Sequence, residues 1–173
     1  MRLAVIGFGV MGERIVRAAL DHPSADVTLA GVWDPSAAAM ERLGATLPRA
    51  RRLQAVDAAI EAADCVYIAS PPRTHLAHAR AALAAGKAVF TEKPLGVDLD
   101  DSRAFVAETA GARAAVNFIF ASSPAVAQLK AWAAAGVIGT PQSLTIETDF
   151  KAWPRDWQMD AASWLAKRAE GGF

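Results

Sequence analysis

Short apolar runs alternate with longer segments of helical periodicity along the first two thirds of the chain. The runs occupy residues 3–6, 27–33, 65–69 and 87–91, and the helical segments occupy residues 13–20, 36–44, 56–63 and 74–85. Most positions within each run are apolar, which is typical of strands buried on both faces. Strands that alternate with helices form parallel sheets covered on both sides. The pattern therefore predicts an α/β fold built on a doubly wound parallel sheet.

The first apolar run leads directly into a glycine-rich turn at the start of a helical segment. In the spacing G-x-G-x-x-G, Gly7 allows a tight turn, Gly9 lets the backbone approach a pyrophosphate, and Gly12 lets the helix pack close to the strand. The free N–H groups at the helix start favour an anion there. The turn predicts a Rossmann-type dinucleotide site, with a merely structural glycine turn as the alternative. The predicted cofactor-binding residues in this turn are Gly7, Phe8, Gly9, Val10, Met11 and Gly12.

Asp34 ends the second apolar run, at the distance from the glycine turn where dinucleotide sites carry a ribose-binding carboxylate. Such a carboxylate accepts hydrogen bonds from both ribose hydroxyls and repels a 2′-phosphate. No arginine or lysine follows Asp34 before Arg42, so we expect NAD in preference to NADP, although Ser36 offers a phosphate one hydroxyl. The alternative is that Asp34 and Pro35 simply start the next helix.

Polar residues also follow the third and fourth apolar runs. Ser70, Pro71 and His75 come after the third run, and Glu92 and Lys93 come after the fourth. The carboxyl ends of parallel strands share one edge of the sheet. We therefore expect these segments to meet the glycine turn and the aspartate in one crevice, where they would contribute to cofactor binding.

Three motifs, taken together, resemble those of a known enzyme family. They are Gly7-x-Gly9-x-x-Gly12, Ser70-Pro71-x-x-x-His75 and Ala84-x-Gly86-Lys87-x-Val89-x-x-Glu92-Lys93-Pro94-Leu95. With this combination the chain is similar to the Gfo/Idh/MocA family of nicotinamide-dependent oxidoreductases over essentially its whole length. The third motif, in register with the N-terminal glycine turn, is the most specific part of the resemblance.

The resemblance implies that Lys93 lies beside the nicotinamide and the substrate. There its ammonium group would hydrogen-bond the substrate oxygen and take part in proton transfer while hydride passes to or from nicotinamide C4. A sugar, a polyol or a similar small metabolite is the implied substrate. An exposed Glu92–Lys93 ion pair of little energetic value is the alternative for this motif. For the whole chain, the alternative is a non-catalytic dinucleotide-binding sensor or partner subunit.

The segment before His75 departs from the family pattern. Pro72 stands where the family often has asparagine, and proline supplies neither a side-chain amide nor a backbone N–H to a cofactor. His75 either lies over the mouth of the nicotinamide and substrate site or begins the following helix, and with Lys93 it is a candidate catalytic residue. His75 and His78 are three residues apart, but no carboxylate or cysteine joins them nearby in sequence, so no metal site is expected.

The resemblance divides the chain into two parts. Residues 1–120 are predicted to be the NAD(P)-binding domain, and residues 121–173 the beginning of an incomplete α+β substrate and oligomerisation domain. A strand is predicted over residues 113–120, and Asn117 within it is a further predicted cofactor-binding residue.

The C-terminal part shows a helical segment, an alternating segment and several tryptophans. The helix is predicted to start with Pro124, and the alternation over residues 143–150 predicts a strand with one buried face. The tryptophans are expected to be core or interface anchors, with stacking on a sugar-like substrate as the alternative. They are Trp153, Trp157 and Trp164.

Family members are expected to continue beyond the last residue of this sequence. A glycine pair like Gly171-Gly172 leads, in the family, into a helix whose aspartate and histidine complete the catalytic group, and then into further strands. We therefore expect little or no turnover from these 173 residues, which would be a fragment of a longer oxidoreductase or part of an assembly. Uncovered apolar surface in the C-terminal segment favours a homo-oligomer.

Composition narrows the choice of partners and compartment. Lysine and arginine number 18 and so do aspartate and glutamate, so no overall charge favours nucleic acid or an anionic membrane. Hydrophobic residues make up 53% of the chain, but we expect neither a membrane span nor a signal peptide. The single Cys65 cannot form an internal disulfide, which favours a cytoplasmic protein.

Overall fold

The structure is a computed structural model that describes residues 1–22, 26–152 and 167–170. Its strands are β1 (Arg2–Ile6), β2 (Thr28–Trp33), β3 (Cys65–Ile68), β4 (Ala88–Thr91) and β5 (Ala114–Val116). Its α-helices are α1 (Val10–Asp21), α2 (Ala37–Thr46), α3 (Val56–Ala62), α4 (His75–Ala84), α5 (Leu99–Glu108) and α6 (Pro124–Ala134). Short 3₁₀ helices lie at Pro72–Thr74, Ile119–Ser122 and Arg168–Glu170.

The strands form one parallel sheet in the order β2-β1-β3-β4-β5. The chain therefore moves from β1 first to one side of the sheet and then to the other. In such sheets the carboxyl ends of the strands open into a crevice where the direction reverses. The predicted α/β fold with a doubly wound parallel sheet is confirmed.

Both faces of the central strands β1 and β3 are covered, which explains the apolar runs in these strands. On one face Ala4 and Ile6 belong to a buried cluster with residues of α3, α4 and α5. On the other face Leu3 and Val5 belong to a second cluster with residues of α1 and α2. Successive side chains of β1 point to opposite faces, so each supports a different helical layer.

The glycine turn brings β1, α1 and the loop after β3 within contact of each other. Gly7 has a φ of +96°, and a Cβ there would lie 2.6 Å from the Ser70 nitrogen. A Cβ on Gly12 would lie 1.9 Å from the Gly7 carbonyl oxygen, whereas one on Gly9 would meet nothing within 4 Å. Close packing therefore requires the first and third glycines, while the second borders open space.

Two predicted element boundaries are wrong. The helix expected to end at Gly44 continues to Thr46, because Gly44 does not adopt the positive φ that would end it. The strand expected over residues 113–120 is shorter, since β5 ends at Val116 and residues 119–122 form a 3₁₀ turn. β5 pairs with β4. Because β4 ends at Thr91, no residues of β4 remain to pair with the chain beyond β5.

The strand predicted over residues 143–150 is also wrong. Residues 141–150 form no strand and are exposed. Alternating side chains favour a strand only where a neighbouring strand accepts its backbone hydrogen bonds, and no described strand lies beside this segment. The helix starting at Pro124 is present as α6 and buries none of its residues. The tryptophans Trp153, Trp157 and Trp164 and the glycines Gly171 and Gly172 lie outside the described residues.

We predict that Gly12→Ala lowers the free energy of unfolding by more than about 3 kcal/mol, because the added methyl group meets a backbone carbonyl that α1 and β1 hold in place. Gly9→Ala is the matched control, and it changes stability by less than about 1 kcal/mol because its methyl group enters open space. Urea unfolding followed by circular dichroism measures both. Equal stabilities would contradict the packing described for Gly12.

Candidate active site

The segments predicted to converge do meet at the carboxyl edge of the sheet. Backbone hydrogen bonds connect them: Gly7 N–H donates to the Trp33 carbonyl, Ala69 N–H to that of Ile6, each at 2.8 Å. Glu92 N–H donates to the Ile68 carbonyl at the same distance. The ends of β1, β2, β3 and β4 are therefore neighbours, and the polar residues that follow them lie at one edge of the sheet.

The first turn of α1 presents backbone N–H groups beside open space. Gly9 is the N-cap of α1, and no side chain caps the helix start. Val10 and Met11 are partly buried in this turn, and Phe8 is fully buried beneath it. An uncapped helix start with its positive dipole end next to a glycine without neighbours is suited to a phosphate group.

Asp34 is bonded to the glycine turn. Its Oδ2 accepts from Phe8 N–H at 2.7 Å and its Oδ1 accepts from Ser36 N–H at 2.8 Å. Ser36 is the N-cap of α2, with its hydroxyl oxygen accepting from Ala39 N–H at 3.3 Å. Asp34 thus supports the start of α2, as one of the two sequence interpretations had it. The same contacts fix the carboxylate beside the turn, as the ribose-binding interpretation requires.

Arg42 binds the backbone carbonyl of Phe8, the residue whose N–H is bonded to Asp34. Its guanidinium donates to the Phe8 carbonyl and lies 4.9 Å from the centre of the Phe8 ring. It also lies 3.9 Å from the Glu13 carboxylate on α1. Phe8 is therefore bonded through its N–H to Asp34 and through its carbonyl to Arg42, so the turn is fixed before any ligand binds.

His75 joins two loops of the crevice. It begins α4, and its ring is only 1% exposed. Its Nε2 lies 2.7 Å from the Ser70 carbonyl oxygen and its Nδ1 lies 2.8 Å from the Pro94 carbonyl oxygen. Both ring nitrogens contact backbone carbonyls, so neither faces the open crevice. Of the two positions considered for His75, the structure shows the start of the helix.

Glu92 is a buried carboxylate held by side chains from the neighbouring strands. Its exposure is 6%, and its Oε1 accepts from the Tyr67 hydroxyl and, at 2.9 Å, from the Asn117 amide. The same amide donates to the Tyr67 oxygen at 2.9 Å. Burial of the tyrosine, with the Glu92 carboxylate as a second cause, raises the pKa of Tyr67. The phenol therefore stays protonated as a donor.

Lys93 is exposed although the side chain before it is buried. Its backbone N–H donates to Glu92 Oε2 at 3.3 Å, and the peptide bond to Pro94 is cis. No ion pair between the side chains of Glu92 and Lys93 is present in this described region, so the alternative of an exposed Glu92–Lys93 pair is wrong.

The histidine pair on α4 is not arranged as a metal site. His78 packs its ring edge-on against Trp33, with ring centres 6.3 Å apart, and burial lowers the pKa of His78. Within residues 1–22, 26–152 and 167–170, no group of three or more histidine, cysteine, aspartate or glutamate side chains is placed to hold a metal ion. The helices described there include none that is both long and apolar enough to cross a membrane.

Comparison with known proteins agrees with this geometry. Residues 1–118 match the model of an oxidoreductase family with an NAD-binding Rossmann fold. The chain belongs to this family, Gfo/Idh/MocA. The Rossmann-type fold and the family resemblance predicted from the motifs are thereby confirmed.

Relatives in this family are dehydrogenases. The chain is 40% identical over 109 residues to inositol 2-dehydrogenase of Rhodococcus erythropolis, covering 61% of this chain and 31% of the relative. It is 33% identical over 162 residues to UDP-N-acetylglucosamine 3-dehydrogenase of Acidithiobacillus ferrooxidans, covering 92% of this chain and 49% of the relative. The chain thus spans half or less of the length of these relatives.

Solved structures show the same fold. The A. ferrooxidans UDP-N-acetylglucosamine 3-dehydrogenase superposes with a TM-score of 0.66 at 32% identity, over 76% of this chain and 41% of that one. Scyllo-inositol dehydrogenase of Lactobacillus casei, solved with bound NAD(H) and scyllo-inositol, superposes with a TM-score of 0.67 at 24% identity, over 80% of this chain and 42% of that one.

Sequence reasoning missed Arg42 and Tyr67 as members of the site. Arg42 lies on α2, where an arginine on a half-exposed helix face is usually only solvated. Tyr67 lies inside the apolar run of β3, and its hydroxyl is the only signal that it needs a buried partner. One residue before the end of a strand, such a hydroxyl points to polar chemistry at that end.

We predict that Glu92→Gln lowers the free energy of unfolding by about 1–3 kcal/mol, because Tyr67 and Asn117 then lose the charged acceptor that they share. Glu108→Gln is the matched control, since Glu108 is exposed and pairs only with Arg80 at the surface. We expect it to cost less than about 1 kcal/mol. Urea midpoints of the two variants are compared, and equal midpoints would contradict the buried network.

Proposed function

We propose that the chain is the cofactor-binding part of an oxidoreductase that moves hydride between NAD and a hydroxyl or carbonyl carbon of a sugar, polyol or similar metabolite. The observation that carries the proposal is the exposed Lys93 in the same crevice as an uncapped helix start and an oriented carboxylate. The inositol and UDP-N-acetylglucosamine dehydrogenases among its relatives support this substrate class.

The residues of the crevice fit a dinucleotide. The space beside Gly9 is open to a phosphate, and an added Cβ there would enter it. Asp34 uses one lone pair of each carboxylate oxygen within the protein, which leaves the others for ribose hydroxyls. The proposed cofactor-contacting residues are Gly7, Phe8, Gly9, Val10, Met11, Gly12, Asp34, Ser70, Pro71 and Lys93. Glu92, Asn117 and His75 are proposed to support the site from beneath.

The chemistry divides between the cofactor and Lys93. Bound NAD supplies the hydride acceptor at its nicotinamide ring. Lys93 hydrogen-bonds the substrate oxygen: as the neutral amine it would accept the hydroxyl proton when the alcohol is oxidised, and as the ammonium it would return a proton to the carbonyl oxygen in the reverse direction. A lysine ammonium suits this task because it donates to an alcohol or carbonyl oxygen and its proton affinity responds to its surroundings.

A non-catalytic dinucleotide-binding module is the second candidate. It is favoured by the burial of His75, because both nitrogens of this second predicted catalytic side chain contact backbone carbonyls. Within the described crevice, Lys93 then stands as the proposed proton-handling group without a histidine partner. Turnover distinguishes the two candidates, whereas binding of the cofactor is common to both.

We propose that residues 1–120 form the cofactor-binding domain and that residues 121–173 begin a substrate and oligomerisation domain. Large apolar side chains stand exposed in the described part of the second segment and just before it. They are Phe118, Ile119, Phe120, Leu129, Trp132, Val137, Ile138, Leu144, Ile146 and Phe150. An exposed apolar surface of this kind supports association with another copy or with further sheet strands.

The first expected result is binding of NADH in preference to NADPH, lost when the carboxylate is removed. We expect Asp34→Ala to weaken NADH binding by about tenfold or more, because charge-assisted hydrogen bonds to the ribose are lost. NADPH binding should weaken less. Energy transfer from tryptophan to the reduced nicotinamide measures both affinities. Asp100→Ala, an exposed acid on α5 paired with Arg103, is the control. An unchanged NADH to NADPH ratio in Asp34→Ala would refute the ribose assignment.

The second expected result concerns Lys93. In NADH formation from NAD with inositols and sugars as substrates, Lys93→Ala should lower the rate by about 10²-fold or more while NADH affinity stays within about twofold. Lys130→Ala, an exposed lysine on α6, should leave both unchanged. NADH formation by the unsubstituted chain would reject the binding module. Absence of NADH binding would reject both candidates.

A further inference from the structure

Lys93 lies between two anchored neighbours in the chain. On its N-terminal side, Glu92 is fixed by the Tyr67 hydroxyl from β3 and by the Asn117 amide just after β5. The Asn117 backbone N–H also donates to the Thr91 carbonyl at 2.7 Å, which continues the β4–β5 ladder to this point. The carboxylate therefore ties the end of β4 to the strands on both sides of it.

On the C-terminal side of Lys93 the anchor is His75. Its ring reaches the Pro94 carbonyl with one nitrogen and the Ser70 carbonyl with the other. A neutral imidazole has one N–H and donates to one of these oxygens, and the imidazolium form donates to both. In either form the ring fills the space between the loop after β3 and the loop after β4, with 1% of its surface exposed.

The two anchors leave Lys93 as an exposed side chain on a fixed backbone. The segment from Glu92 to Pro94 is held at its first residue by the buried Glu92 carboxylate and at its last residue by the buried ring of His75. A lysine side chain has four rotatable bonds, so its ammonium is placed reproducibly only where its Cα is fixed. Reactions that require a donor within hydrogen-bonding distance of one substrate atom depend on such placement.

We propose that Tyr67, Asn117 and His75 are positioning residues for Lys93, acting through Glu92 and through the Pro94 carbonyl. The inference rests on the proposed function only for the role of Lys93 itself. None of the three side chains needs to touch substrate. They come from β3, from the start of α4 and from the residue after β5, and each contributes a polar group bonded to the short segment that carries the lysine.

Hydrogen exchange of the full chain, without cofactor, tests the anchoring. Exchange of the individual amides in residues 92–96, followed by NMR, includes the Lys93 amide, which donates to the Glu92 carboxylate. We expect exchange of the Lys93 amide to be about fivefold faster or more in Tyr67→Phe, which removes one oxygen atom, and in His75→Leu. The reason is that the loss of one net hydrogen bond makes local opening easier by about this factor. His75→Gln, which keeps an amide donor, should restore part of the protection.

The controls separate a local effect from general loss of stability. His78→Gln alters the other histidine of α4 and should leave exchange of residues 92–96 within about twofold of the unsubstituted chain. Exchange of residues 2–6 in β1 should be unchanged in every variant. If Tyr67→Phe and His75→Leu leave residues 92–96 protected as in the unsubstituted chain, or if β1 exchanges faster to the same degree, the positioning role is overturned.

Measurements of NADH binding and turnover distinguish failure of the positioning role from failure of the proposed function. If the chain binds NADH, Tyr67→Phe and His75→Gln should keep NADH affinity within about threefold, and where turnover is measurable they should lower kcat rather than raise KM for NAD. A larger loss of NADH affinity would show that these side chains support the cofactor instead of Lys93. Absence of NADH binding would defeat the proposed function, while the exchange data would still decide the anchoring.

Discussion

The crevice depends on one close contact, between Gly7, which follows β1, and Gly12, which lies inside the first turn of α1. The Gly7 carbonyl and the Gly12 backbone approach so closely that a Cβ on Gly12 would lie 1.9 Å from the oxygen. Gly7 in turn lies close to the backbone nitrogen of Ser70, in the loop after β3. This contact sets where the helix starts, and the helix start sets where a phosphate would bind.

Around this contact the polar groups are bonded to each other in advance. Asp34 and Arg42 bind the backbone N–H and the backbone carbonyl of Phe8, and Glu92 accepts hydrogen bonds from Tyr67 and Asn117, on either side of β4. Throughout the part of the chain that the structure describes, no buried side-chain nitrogen or oxygen lacks a hydrogen-bond partner. Fully bonded polar networks are rigid, so the groups that face the crevice are oriented before a ligand arrives.

Sequence patterns predicted the features that depend on local chemistry. The apolar runs gave the strands and their burial on both faces, and the glycine spacing gave the turn that the structure shows. Asp34 was placed correctly beside the turn because the end of a parallel strand fixes where the next residue lies. These inferences needed only period, spacing and the rule that parallel strands share a carboxyl edge.

The remainder depended on contacts between distant segments. The orientation of His75 toward the interior is set by two backbone carbonyls, those of Ser70 and Pro94, which lie on different loops. No local sequence pattern reveals these contacts. Arg42 joined the site through the packing of α2 beside the turn. The alternation over residues 143–150 failed as a strand for a related reason, since a strand is defined by its neighbour and not by its own sequence.

The most direct test of the central claim, that the carboxyl-edge crevice is a dinucleotide site, is a ¹H–¹⁵N NMR titration of the chain with NADH. The account predicts amide shift changes concentrated in the glycine turn and first turn of α1, beside Asp34, and in the segments 69–75 and 91–96. Amides of α6 should not move. Shift changes centred instead on the groove between α5 and β5, which Val89, Phe105 and Val116 line, or no changes at saturating NADH, would contradict it.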